Sequence, residues 1–150
     1  MPEECRNIYK RFRKKAGFTQ EAAAEQLRIS VESLRAYETG QRVPPNRVVA
    51  MMVDAYNSQL LGIWHLRDSD DMVRSIIPAV QDCSVLEASA KLDNRMYAFY
   101  INNRCRQLMQ ITEDNIVDDM EQPDYDRILA ELQEISELIM AVKCARQGGA

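Results

Sequence analysis

Turn-forming residues are scarce in this sequence. Glycine and proline number five each among 150 residues, and threonine stands only at Thr19, Thr39 and Thr112. A β-sandwich or barrel of this length needs many more turn residues, so the shortage points to helix. Long apolar runs are missing too: no stretch approaches the ~18 consecutive apolar residues of a membrane span. The opening Met1-Pro2-Glu3-Glu4-Cys5-Arg6 has no apolar signal segment, so the expected setting is the cytoplasm. Four cysteines (Cys5, Cys83, Cys105, Cys144) form no Cys-x-x-Cys pair, which argues for reduced, mostly packed thiols rather than a disulfide framework or zinc site. His65 is the single histidine; it reads as a structural residue near a helix end, and no histidine-based metal cluster can form. Neither a metal nor a cofactor is expected.

Hydrophobic residues at 46% and charged residues at 28% are ordinary for a folded globular chain. The net charge of −4 hides an asymmetry. Residues 1–66 hold ten Lys/Arg and seven Asp/Glu, a net +3, whereas residues 67–150 hold nine and sixteen, a net −7. Only the first region has the sign to meet a polyanion.

Apolar spacing and caps divide that region into five short helices. The first runs from about Arg6 to Ala16, with Ile8 and Phe12 on one face, and Gly17 closes it. Thr19 caps a second over Gln20–Leu27, Ser30 caps a third over Val31–Glu38, and Gly40 ends it. Pro44-Pro45 hold a loop until Pro45 serves as the first residue of a fourth helix whose apolar face is Val48, Val49, Met52, Ala55 and Tyr56. A fifth covers about Ser58–Leu66.

Two short helices joined by a tight turn, the second capped by serine, form a helix-turn-helix. The run from Thr19 through Gly40, with Arg13 and Gly17 before it and Arg42-x-Pro44-Pro45 after it, resembles the Xre/lambda-repressor-like (Cro-type) family of bacterial and phage DNA-binding domains. A dozen positions match in register, over about residues 6–66. The resemblance implies an all-α fold and a third helix that enters the major groove of double-stranded DNA. Carried over by position, Val31, Glu32, Arg35 and Ala36, with Ser33 beside them, are the base-contacting candidates. Arg35 can bond guanine bidentately or instead pair with Glu32 or Glu38; Glu32 can accept from cytosine N4; Val31 and Ala36 can touch thymine methyls. Gln20, Arg28, Arg42, Asn46 and Arg47 are phosphate candidates, with a plain solvated charge the alternative for Arg42 and Arg47. Arg13 and Glu38 fall where the family forms an inward ion pair, the alternative being that both are solvated. Arg28 departs from the family, which often has glycine at that turn. An arginine in a left-handed backbone costs ~1 kcal/mol.

Residues 67–83 read as a linker around Asp68-Ser69-Asp70-Asp71, with a short helix an open choice over Met72–Ile77 before Pro78. Ser84-x-x-Glu87 is a capping box, and the helix it opens meets no breaker until about Thr112. Asp118-x-x-Glu121 and Pro123 begin another, in which Tyr125, Ile128, Leu132, Ile135, Ile139 and Val142 keep a spacing of three to four. Residues 84–146 are therefore expected to form an acidic antiparallel helical hairpin. The string from Asp114 to Ile128 resembles the tail of small regulators of phages and integrative elements. The stripe Leu132, Ile135, Ile139, Val142 either packs within the hairpin or pairs with a second copy; helix five, around Leu61 and Trp64, is the alternative dimer surface.

No glycine-rich phosphate loop, dinucleotide fingerprint, calcium loop or Ser–Lys nucleophile is present, and no catalysis is expected. The resemblance implies a sequence-specific transcriptional regulator, most simply a homodimeric repressor on a palindromic operator. A regulatory protein partner is a candidate for the acidic tail. The alternative is an interaction or antitoxin-like module that keeps the fold without operator binding.

Overall fold

A computed structural model describes residues 7–145. Cys5, the expected helix start at Arg6 and the Gly148-Gly149-Ala150 end lie outside the described residues. Those described are helical and without strands, and they fall into two compact units divided between Ile77 and Pro78.

The first unit contains α1 (Ile8–Lys15), α2 (Gln20–Gln26), α3 (Val31–Glu38), α4 (Asn46–Ala55), α5 (Gln59–Ser69) and α6 (Asp71–Ile76). Its boundaries have chemical causes. Thr19 Oγ1 accepts from the Ala22 N–H at 3.1 Å and Ser30 Oγ from the Ser33 N–H at 3.1 Å, so each helix of the motif begins on a side-chain cap. Gly17 and Gly40, at φ +81° and +75°, supply the left-handed residues after α1 and α3. Pro45 is the cap of α4 rather than its first residue: its ψ of 152° is extended, and its carbonyl accepts from Val48 and Val49. Around these ends Ile8, Phe12, Ala23, Leu27, Leu34, Met52 and Tyr56 close a core. Of the two valines expected on the apolar face of α4, Val49 is buried and Val48 half-buried. Each large side chain so buried contributes about 1.5–3 kcal/mol.

Helix α5 runs to Ser69, past the expected stop at Leu66, and α6 follows within the same unit. The Arg67 guanidinium donates to the Arg74 carbonyl at 3.2 Å and to the Ile77 carbonyl, tying α6 back onto α5. Asp70 caps α6 through the Met72 N–H at 2.6 Å. Residues 67–77 thus belong to the first unit rather than to a linker.

The second unit contains α7 (Val85–Ile101), α8 (Arg104–Ile111) and α9 (Gln122–Cys144). The single helix expected from Ser84 to Thr112 is broken in two. Asn102 Nδ2 donates to the Ala98 carbonyl at 2.8 Å, and Asn103 takes a left-handed φ of 53°, a conformation that asparagine tolerates better than most residues. Both ends expected from the sequence carry their caps. Ser84 Oγ accepts from the Glu87 N–H, while Asp118 and Glu121 exchange reciprocal side-chain-to-backbone bonds before α9.

Helices α7, α8 and α9 close on Phe99, Ile111, Ile128 and Ile135, with Leu92, Leu108, Val117, Tyr125 and Leu132 packed around them. The break lets Arg104, on α8, meet Glu131 of α9 at 2.9 Å. The hairpin is therefore a three-helix unit, and much of the α9 stripe is used inside it. Ile135 is buried, Leu132 packs on the core, Val142 is half-buried, and Ile139 remains 39% exposed.

Candidate nucleic-acid interface

Helix α3 is held by a buried polar cluster. Arg13 and Glu38 are 5% and 3% exposed, and their side chains meet twice: Nε to Oε1 at 2.5 Å and a terminal guanidinium nitrogen to Oε2 at 3.0 Å. The other terminal nitrogen of Arg13 donates to the Phe18 carbonyl at 2.7 Å, linking the end of α1 to the end of α3 and to the loop before α2. The hydrogen bonds to Glu38 raise the Arg13 pKa above its already high ordinary value. Burial, followed by the Glu38 charge, pushes the Tyr56 hydroxyl up to about 12.

Gln20 belongs to this cluster. Its Nε2 donates to Glu38 Oε2 at 2.8 Å, so the side chain expected to hold a phosphate is turned onto the ion pair instead. A glutamine at the start of a helix offers the same donor to a buried carboxylate as to a phosphate, and the sequence does not distinguish the two.

With Leu34, Tyr37 and Glu38 facing inward, α3 turns its other side to solvent. Glu32 and Arg35 are exposed, and Val31, Ser33 and Ala36 are half-buried along the same side. Arg35 pairs with neither Glu32 nor Glu38; the second carboxylate is spent on Arg13 and Gln20. Ser33 Oγ receives the Ser30 hydroxyl at 2.9 Å.

The phosphate candidates flank this side on different supports. Arg28 is exposed in the α2–α3 turn at φ 53°, the left-handed conformation that its position demanded. Arg42 lies with its guanidinium 5.5 Å from the Tyr37 ring centre, and its N–H bonds the Ala36 carbonyl, which steadies the cation beside the end of α3. Arg47 is exposed in the first turn of α4.

Asn46 is positioned by the residue that sequence reading placed least well. His65 is 4% exposed and sits within α5. Tyr9 Oη donates to its Nδ1 at 2.9 Å, and its Nε2–H donates to Asn46 Oδ1 at 2.9 Å, the one tautomer that serves both partners. His65 thereby joins α1, α4 and α5. It also holds Asn46 by its carbonyl, leaving the amide N–H groups, the end a phosphate needs. No pattern in the sequence announces this relay, because its three members lie far apart along the chain.

The three described cysteines are free thiols: Cys83 and Cys144 are half-buried, and Cys105 is exposed rather than packed. Among the described residues no helix is long and apolar enough to cross a membrane, and no three His, Cys, Asp or Glu side chains gather to hold a metal.

Residues 10–60 match a family model described as "Helix-turn-helix domain". This segment is a helix-turn-helix domain, and the match is consistent with the Xre/Cro type. No curated protein and no solved structure matches the chain.

Proposed function

We propose that this protein is a sequence-specific transcriptional regulator of the cytoplasm that binds double-stranded DNA. Its simplest action is that of a repressor, as a homodimer on a palindromic operator. The observation that carries this reading is α3: the buried Arg13–Glu38–Gln20 cluster fixes its inner side, while Arg35 and Glu32 stand free on its outer side. In this reading Arg35 reads guanine O6/N7 and Glu32 accepts from cytosine N4, with Val31 and Ala36 against thymine methyls. Arg28, Arg42, Arg47 and the amide of Asn46 hold phosphates and set the register. Binding, not catalysis, is the role.

A net +3 over residues 1–66 predicts modest affinity for one copy, so two copies about 34 Å apart on a palindrome supply the tightness. Selection of bound sequences from a random duplex library tests the reading. The expected result is a twofold-symmetric motif. Arg35→Ala should relax one base position per half-site by about 1–3 kcal/mol. Enrichment of no sequence would overturn operator recognition, and an unchanged motif in Arg35→Ala would remove Arg35 from readout.

A further inference from the structure

A cavity of about 520 Å³ opens in the first unit where α3 ends, a size that small-molecule sites commonly have. Its floor is made by Ile8, Tyr37 and His65, which are 2%, 4% and 4% exposed. Half-buried Tyr9 and exposed Val43 add apolar surface higher on the walls, and Gly40 has no side chain to fill the space.

Two opposite charges line this cavity without meeting. One is the Asp68 carboxylate, on α5, whose field reaches Tyr9 and His65, the walls beside it. The other is the Arg42 guanidinium, which lies over the Tyr37 ring. Among the described residues neither charge has an ion-pair partner. A simple anion would be drawn to Arg42 and repelled by Asp68, and a simple cation would meet the reverse. A molecule that carries both charges satisfies both groups, and the apolar walls suit a short hydrocarbon body joining its ends. Partial enclosure makes each pairing stronger than on an open surface.

The cavity also adjoins the groups given to phosphates. Arg42 is one of them, and Asn46, another, is held by the His65 of the floor. We infer that this cavity takes a small zwitterionic effector, its ammonium on Asp68 and its carboxylate on Arg42, which withdraws Arg42 from the DNA backbone and so releases the operator. The release rests on the proposed DNA binding, whereas the ligand site stands apart from it.

Calorimetric titration of the full chain, without DNA, tests the site. The probes are two isomers that hold the charges at different separations, L-leucine and ε-aminocaproate, and two relatives with a single charge, caproate and hexylamine. At least one isomer should bind about tenfold tighter than either singly charged relative. Arg42→Gln and Asp68→Asn, each checked for helix content by circular dichroism, should weaken that binding about tenfold. Absence of binding by both isomers at about ten-millimolar concentration overturns the inference. Caproate or hexylamine binding as tightly as the isomers overturns it too, and this comparison needs no variant to fold. So does a folded Asp68→Asn that binds like wild type. The release is read by titrating the library-selected duplex with and without the bound isomer. Its affinity should fall at least about fivefold in wild type and stay unchanged in Asp68→Asn. An equal affinity in wild type overturns the release. A chain that binds no duplex overturns the DNA reading, and the calorimetry still decides the site.

Discussion

Glu38 takes hydrogen bonds from two partners, and Arg13 and Glu38 are both almost wholly buried. Removing the carboxylate leaves the Arg13 guanidinium inside without its counter-charge, which costs about 3–5 kcal/mol in such pairs. Glu38→Ala is therefore expected to lower the unfolding free energy by that amount in chemical denaturation; an unaltered midpoint would mean that the pair contributes nothing. His65 poses a question of pH. Its pKa is lowered, chiefly by burial, from the ordinary 6.5, with the nearby Asp68 acting in the opposite sense. The folded protein then binds fewer protons than the unfolded chain once pH falls below 6.5, so stability is complete above that value and lost toward the depressed folded pKa. His65→Gln can still donate to Asn46 and accept from Tyr9. It should abolish that part of the slope of denaturation midpoint against pH, a comparison of the two proteins on either side of 6.5 being the check.

Element by element, the strain in the recognition motif is concentrated in its turn. Arg28 holds φ 53° where glycine would carry no Cβ penalty. Arg28→Gly is expected to stabilise the first unit by up to ~1 kcal/mol, while weakening DNA binding if the guanidinium meets a phosphate. Opposite signs for stability and affinity in one variant would separate the residue's two roles. This turn was legible in the sequence, because caps, glycines and apolar spacing are local and point the same way at Thr19, Ser30 and Gly40. The break in the second region was not. Apolar spacing continues through Asn102 and Asn103, and only the Asn102 amide on the Ala98 carbonyl shows why the helix stops. The inward turn of Gln20 and the His65–Asn46 bond escaped for the same reason: each depends on which distant group the fold delivers to a short polar side chain.

For the whole molecule, periodicity reveals that a helix has an apolar stripe but not what covers it. The α9 stripe looked available for a second copy, yet α7, α8 and Val117 bury much of it, and the larger uncovered surface lies on α7. The helix-five alternative is similarly occupied: Leu61 is fully buried, and the Trp64 and Phe12 rings pack in a T, centres 5.6 Å apart, with Arg11 over the Trp64 ring. The division between Ile77 and Pro78 also changes where the first unit can be cut. Its core draws on α1 to α5, and α6 is fastened by Arg67 and capped by Asp70, all within that boundary. A fragment ending at Ile77 should therefore fold by itself. One ending at Leu66 loses the last turn of α5 and the whole of α6, and should melt at a lower temperature. With the second unit gone, the longer fragment should sediment as a monomer and bind an operator far more weakly than the full chain, having only one half-site to hold. Circular dichroism melts of the two fragments, with sedimentation and titration of the longer one against duplex DNA, test each step. Equal melting temperatures would return the boundary to Leu66, and a dimeric fragment would place the contact between copies in the first unit.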